Sequence, residues 1–467
     1  MKTLLKKVYA LRKKNNKPGV WLQHLVCETA GLKEGDPLYI EVDEEREEIS
    51  LQNKPLSEDD YVIHVSGRLN RSSGVRRPLV DSAGDRYSFL SLEDKVEITV
   101  YRKGNLSRIV VRPLEYRLKS TCTIPAPKDE RITFTSICAG AGIGTAHLAS
   151  CGYFTPVQEI ELETDSAEVI KHNFPGGYLF NGDLRDCHET VQSDMCVVSL
   201  PCNQASSLGD LEGNVMDDLI LATAKIIKSS KASCLLFENV PNFYQQDCWH
   251  SLKELLMDDY PYFSEKQIES WDFGSIATRR RKYVVAFRER DLFENFQWPS
   301  APKLRRKKLK DFLDGKRIEQ EWKPLDKWVD SFNSRNAWSD RNLDKTFVTG
   351  EAKQINCIPK RYRGHSASSS YILNDAGTHW RFLSESELFR IFDIPDTFSF
   401  PDHTSITRRY EMIGQSICGR VFKAIGNKIA TSFMKRALKG LNNVARKVKE
   451  KVEPISIKDN GQLELII

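Results

Sequence analysis

The chain has 467 residues, 40% of them apolar, and a formal net charge of +5. Its length exceeds one ordinary domain, so two or three cores are expected. No apolar run approaches the roughly 18 residues of a membrane span, and the basic start lacks an apolar signal core, which points to a cytoplasmic protein. Eleven cysteines form no CxxC pair and no Cys/His cluster, which excludes a disulfide framework and a structural metal site.

The positive charge is unevenly placed. The first eighteen residues carry Lys and Arg without an acid, and Lys303 to Lys310 and Lys435 to Lys451 are further basic runs. One such run is an ordinary solvated face; three on one chain suit a polyanion such as nucleic acid.

Residues 1–118 read as an all-β module. Val20 to Cys27, Leu38 to Val42, Ile49 to Gln52, Tyr61 to Val65, Tyr87 to Leu90, Glu97 to Tyr101 and Ser107 to Val111 are expected strands. Leu32-Lys33-Glu34-Gly35-Asp36 and Leu92-Glu93-Asp94-Lys95 each lead into strand, turn and strand. Two such halves resemble a tandem AbrB/SpoVT-like swapped-hairpin module, which implies DNA binding; the plain alternative is a small β domain. Residues 119–130, with Pro125 and Pro127, read as a linker.

From Arg131 strands alternate with helices. Ile132 to Ile137, Pro156 to Ile160, Asp194 to Ser199 and Ser233 to Phe237 are expected strands. Ile143 to Ser150, Asp165 to His172 and Asp217 to Lys228 are expected helices. That alternation predicts an α/β fold, a mostly parallel, doubly wound sheet. Residues 131–291 form its main part, and 401–437 return to it after an insertion at 292–400. The insertion is basic and loop-rich and carries Trp322, Trp328, Trp338 and Trp380, which suggests a contact surface. Residues 438–467 read as a basic tail.

Three features carry chemistry. Ala139 to Gly144 is a glycine-rich turn between a strand and a helix, where backbone approaches a ligand closely. Alone it also fits dinucleotide enzymes and plain tight turns. Glu161 closes the next strand and suits ribose hydroxyls; Asp183 closes the third and suits an adenine amino group. In this order they describe an adenosine-bearing cofactor, and the absence of GxxxxGK[ST] argues against ATP. Finally, Pro201-Cys202 and Glu238-Asn239-Val240 follow two apolar runs, placing a thiol and a carboxyl at strand ends over one crevice. That pair suits attack on an electron-poor ring that must be protonated as it is attacked.

Together these segments resemble the DNA cytosine-5 methyltransferase family of bacterial or phage restriction–modification systems. Thr135 to Gly144 resembles its first motif, and Glu161 with Asn173-Phe174-Pro175 the second. Gly182-Asp183 resembles the third, Pro201 to Gly209 the nucleophile loop, and Glu238 to Pro241 the glutamate motif. Phe273 to Tyr283 resembles the arginine motif. Arg381 to Ser384 with Ile394-Pro395-Asp396 resembles the ninth, and Tyr410 to Ile425 the last. The resemblance implies methyl transfer from S-adenosylmethionine to C5 of a cytosine flipped out of duplex DNA. It assigns covalent addition at C6 to Cys202, protonation at N3 to Glu238, and grip on the base to Arg279 and Arg281. Cys138, Gly140, Gly142, Glu161, Leu162, Asp183, Leu184, Pro201, Gln415 and Ser416 would hold the cofactor.

Some positions depart from the family pattern. Ser136 stands for its Asp, Cys138 for its stacking aromatic, and Asn203 and Ala205 for a Gln and a Phe. Ala277 stands for a Gln and Gln415 for an Asn. These bear on rate and affinity more than on reaction type.

The resemblance places target recognition in the insertion, where Arg361, Arg363 and Gly364 are the expected base-reading residues, joined by Ser206 of the nucleophile loop. Gln462, Leu463, Leu465 and Ile466 resemble a bacterial sliding-clamp-binding peptide. A monomer on DNA is expected. An RNA cytosine-5 methyltransferase and a catalytically decayed DNA-binding regulator are the alternatives.

Overall fold

The structure is a computed structural model. It describes every residue except 15–16, 56–60, 71–73, 85–86, 91–94, 115–121, 126, 128, 202–214, 316–320, 334–344, 366–367, 452–454, 458–462 and 466–467.

A 13-stranded mixed sheet runs through the molecule. In chain order its strands are β1 (Lys2–Ala10), β2 (Pro37–Asp43), β3 (Glu48–Gln52), β4 (Tyr61–His64), β5 (Lys95–Lys103), β6 (Leu106–Pro113) and β7 (Ile132–Ile137). Then follow β8 (Phe154–Glu161), β9 (Tyr178–Asn181), β10 (Met195–Val198), β11 (Cys234–Asn239), β12 (Tyr262–Glu269) and β13 (Arg280–Phe287). Across the sheet the order is β12-β13-β11-β10-β7-β8-β9-β1-β5-β6-β3-β2-β4. Neighbours from β11 to β1 are parallel, and antiparallel pairs flank them on both sides.

Alternation along the strands explains why both faces are covered. Met195 and Val197 of β10 face one way, into a core with Phe134, Val285 and Phe422 of the helix Gly419–Lys451. Cys196 and Val198 face the other way, towards Ile226 of the helix Val215–Ser230 and Leu252 of the helix Asp247–Met257. Each fully buried side chain of this kind contributes roughly 1.5–3 kcal/mol. The expected α/β sheet is present, with its strand ends on one rim.

The N-terminal region differs from expectation. The boundary expected at residue 118 is crossed by the sheet, because β1 runs parallel to β9, with Leu5 opposite Leu179 and Lys7 opposite Asn181. The core of the region takes in Ala167, Ile170 and Leu179 of the part that begins at Arg131. No tandem hairpin barrel forms among the described residues. The stretch Val20–Cys27 divides into a strand ending at Leu22 and the helix His24–Ala30. Tyr87 to Leu90 is a turn, and strands form instead at Ser66–Leu69 and Arg76–Ala83. The expected linker holds a short strand, Cys122–Ile124, paired with Glu189–Val191.

The basic start is likewise not a solvated arm. Lys6 and Lys7 are buried, and Lys6 meets Glu97 and Glu189 at 2.7 and 2.8 Å. The acids that neutralise it lie far along the chain, so a local charge count cannot reveal them. In the second basic run, Lys308 and Lys310 pair with Glu351, and Arg306 lies over the Trp271 ring at 3.5 Å.

In the insertion, Lys323–Pro324, His379–Arg381, Tyr371–Leu373 and Phe347–Val348 form a four-stranded sheet in that order. Trp328 and Trp380 are buried against Tyr371, and Trp380 also against Phe382, so they build the insertion's own core instead of a contact surface. Trp338 lies outside the described residues. That aromatic core is continuous with Ala141 and Ile143 beside the glycine turn. The tail expected from residue 438 begins as an extension of the helix Gly419–Lys451, and Leu463–Leu465 pairs with Ile455–Ile457. Gln462 and Ile466 lie outside the described residues. No described helix is long and apolar enough to cross a membrane.

Candidate active site

β11 ends in Glu238 and Asn239, and its partner β13 begins with Arg280 and Arg281. In the antiparallel register Glu238 lies opposite Tyr283, so Arg281, two residues earlier on the same face, reaches the Glu238 carboxylate. Arg281 Nε lies 3.1 Å from Glu238 Oε1, and both side chains are largely buried. Burial, with Arg279 nearby, pulls the Arg281 guanidinium below its ordinary value, and Glu238 opposes that. Burial, with the Glu238 charge, pushes the Tyr283 phenol well up, so it stays neutral beside the pair.

Asn239 turns towards the nucleophile loop. Its Nδ2 donates to the Leu200 carbonyl at 3.1 Å, and its Oδ1 accepts from the Val240 N–H. Leu200 is the last buried residue before exposed Pro201, and residues 202–214 are not described. Cys202, Ser206 and the departures Asn203 and Ala205 all fall in that stretch, so their expected roles lie outside the described residues.

The two arginines expected to grip the base lie near one another but bond to different partners. Arg279 Nη1 donates to the Gly414 carbonyl at 3.1 Å and to Cys357 Sγ at 3.6 Å, and its guanidinium lies over the Phe392 ring. It therefore ties the last motif to the insertion, and among the described residues its hydrogen bonds go to partners other than Glu238. Gly414 is needed there, because a Cβ would lie 2.2 Å from the Pro359 carbonyl oxygen. Ala277 acts through its backbone: it forms a parallel bridge with Ile355 of the insertion.

The cofactor residues gather over β7, β8 and β9. Gly140 and Gly142 have φ of +58° and +77°, a conformation that favours glycine. The Gly140 N–H donates to Glu161 Oε2 at 2.8 Å, and the Glu163 N–H to Oε1 at 2.7 Å. Glu161 is buried, and its pKa is pushed up to about 7 by that burial, against the two backbone donors. Beside it Leu162 is 65% exposed, an apolar side chain available to a flat ligand. Asp183 is held by Arg185 at 2.6 Å, which lowers its pKa, and Leu184 is buried. Gln415 Nε2 lies 3.9 Å from where a Gly140 Cβ would sit, and Ser416 Oγ donates to Ile413. Cys138 has a positive φ of 58°, and burial pushes its thiol up.

One departure has a counterpart. Ser136 lies opposite Glu159 on the adjacent strand, and Thr145 bridges them, 3.1 Å from Ser136 Oγ and 3.2 Å from Glu159 Oε2. A carboxyl one strand away is thereby linked through Thr145 to the Ser136 hydroxyl. Glu159 stands between Gln158 and Ile160 in β8, two residues before Glu161, and its own role is not visible in the sequence pattern.

At the expected base-reading segment, Tyr362 is buried and Arg363 lies over the Phe382 and Tyr410 rings at 5.2 Å. Arg361 and Gly364 are exposed, and the Gly364 N–H donates to the Arg361 carbonyl. Lys360 Nζ lies 3.6 Å from Glu163, which joins this segment to the Glu161 turn.

The model of the C-5 cytosine-specific DNA methylase family matches residues 132–431. The chain belongs to that family. It is 26% identical over 331 residues to the type II methyltransferase M.HhaI of Haemophilus parahaemolyticus, covering 65% of this chain and 97% of that protein. It is 23% identical over 322 residues to the type II methyltransferase M.Bsp6I of a Bacillus species, covering 65% of this chain and all of the relative. A mutant DNMT2 structure from Spodoptera frugiperda shares the fold at 16% identity, with a TM-score of 0.50 over 64% of this chain and 99% of that one. The Dnmt2 structure of S. pombe gives the same identity and TM-score over 67% and 100%. In this methylase the matched segment starts at β7, so β1 to β6 lie outside it.

Proposed function

We propose that the chain methylates C5 of a cytosine flipped from duplex DNA, with Cys202 as nucleophile and S-adenosylmethionine as methyl donor. The observation that carries this is the buried Glu238–Arg281 pair at a strand end whose next residue, Asn239, holds the backbone that leads into Pro201-Cys202.

In this reading the Cys202 thiolate forms a bond to C6, and the electron pair displaced from the C5–C6 bond moves towards N3. Glu238 supplies a proton at N3, so charge does not build up there. Arg281 orients that carboxyl and meets the base O2 through its remaining guanidinium N–H groups. S-adenosylmethionine, when bound, supplies an electrophilic methyl group. Loss of the C5 proton to a base then expels Cys202 as its thiolate, N3 returns its proton to Glu238, and the ring is restored. The cofactor fits the residues present: a glycine turn with left-handed backbone, a buried carboxylate at Glu161 and exposed Leu162 beside it. Glu161 would hold ribose hydroxyls, Asp183 the adenine amino group, and Leu162 and Leu184 the ring faces. In the insertion, Arg361, Arg363 and Gly364 would meet DNA, a reading supported by the exposure of Arg361 and Gly364.

The test is incubation of the full chain with methyl-labelled S-adenosylmethionine and mixed-sequence duplex DNA or RNA. Label in DNA that Cys202→Ser abolishes is the expected result. Label in RNA alone, or no label with any substrate, overturns the reading. For Gln462 to Ile466, clamp binding is tested separately: retention on purified sliding clamp should vanish for a chain ending at Asp459, and equal retention refutes it.

A further inference from the structure

We propose that Lys7, in the N-terminal region outside the matched methylase segment, is a positioning residue for the cofactor site. Its buried ammonium braces, through Asn181, the turn that carries Glu161 and Leu162.

The hydrogen bonds form a continuous chain. Lys7 Nζ donates to Asn181 Oδ1 at 2.7 Å and to Thr164 Oγ1 at 2.9 Å. Asn181 Nδ2 in turn donates to the carbonyl oxygens of Glu161 at 2.9 Å and Leu162 at 3.1 Å. Both side chains are buried, Lys7 at 4% and Asn181 at 1% exposure. The turn from Glu161 to Thr164 is therefore held at both ends by one ammonium: at the carbonyls through Asn181, and at the first residue of the helix Thr164–Asn173 directly.

The strand pairing makes this reach possible. β1 is parallel to β9 with Lys7 opposite Asn181, so β1 extends the row of catalytic strand ends by one. Ligands of open α/β sheets sit beyond such ends. An amide needs its orientation fixed before it can donate to two carbonyls, and an ammonium on Oδ1 allows one orientation only. A buried lysine is costly unless it is used in this way. Burial draws the Lys7 pKa down to about 8, and the charges of Glu168 and Asp165 oppose that.

This inference rests on the reading of Glu161 as a cofactor ligand. Steady-state methylation by the full chain is measured for Lys7→Met, Asn181→Leu, the double variant and Glu161→Ala, with S-adenosylhomocysteine binding as a second readout. Removing a charge-assisted hydrogen bond should raise the S-adenosylmethionine KM and the S-adenosylhomocysteine Kd about tenfold or more. kcat and the DNA KM should stay within about twofold, and the double variant should cost no more than the larger single change. If Glu161→Ala weakens cofactor binding and Lys7→Met does not, Lys7 has no such role. Additive losses in the double variant, or equal losses in kcat, show general destabilisation and also overturn it. If Glu161→Ala changes nothing, the cofactor-site reading fails first. Should Lys7→Met not fold, Lys7→Gln, a shorter neutral donor, carries the same measurement.

Discussion

Asn239 Nδ2 donates to the Leu200 carbonyl at 3.1 Å, joining the residue after the candidate acid to the residue before Pro201-Cys202. One amide thereby sets the spacing between two strand ends that must act on one ring. Asn239→Ala leaves the Leu200 carbonyl without its donor and frees the loop root. A lost buried hydrogen bond of this kind costs about 1–3 kcal/mol, so single-turnover methylation should slow about 10- to 100-fold. S-adenosylhomocysteine affinity should hold. Asn239→Asp should behave like the alanine variant, because a carboxylate cannot donate. A fully active aspartate variant would remove the role assigned to the amide.

The Glu238–Arg281 pair gives a second expectation. Glu238→Gln keeps the shape and removes the acid, so methylation should fall by about 10² to 10⁴ while DNA binding stays. Arg281→Lys keeps one charge but loses the fork that spans carboxylate and base. It should also lower kcat, by less than Glu238→Gln. Rates at saturating cofactor and DNA decide this. An Arg281→Lys enzyme with unchanged kcat would assign Arg281 to folding alone.

The candidate acid stands out in the sequence because it follows an apolar run. Cys234 to Phe237 announces a buried strand, and Glu238 is the first polar residue after it. Local pattern stops at contacts made across long separations. Lys7 and Asn181 are 174 residues apart, and Arg279 and Gly414 are 135 apart. A basic start reads as a solvated arm until β5 and β9 are seen on either side of β1. Trp328 and Trp380 read as part of a contact surface because nothing in their spacing shows that both pack on Tyr371; Trp322 is exposed.

Arg279 should prove a structural bracket. Its backbone sits in the arginine motif, yet its guanidinium holds Gly414 and Cys357 and covers Phe392. Leaving the buried Gly414 carbonyl without its donor costs about 1–3 kcal/mol. Arg279→Met should therefore lower the melting temperature clearly. The fraction that remains folded should lose far less kcat than Arg281→Ala. Thermal melts beside active-site-titrated rates separate the two effects. Equal kcat losses without any change in melting would return Arg279 to the base-gripping role.

Glu159 should make the protein less stable as pH rises. It is fully buried, Thr145 donates to Oε2, and Oε1 has no hydrogen-bond partner among the described residues. Burial pushes its pKa up to about 8 from the ordinary 4.5. The folded protein then holds this proton more tightly than the unfolded chain does. Its contribution is at its best below about pH 4.5 and declines as pH rises towards about 8, where the buried carboxylate must ionise. Glu159→Gln keeps the shape and cannot ionise. The variant should match the natural protein near pH 5 and exceed it at pH 9, by on the order of a few kcal/mol. Melting temperatures of both proteins at those pH values test this. A glutamine variant less stable than the natural protein at pH 9 would mean that the ionised carboxylate is wanted beneath the glycine turn, in place of the aspartate that Ser136 lacks.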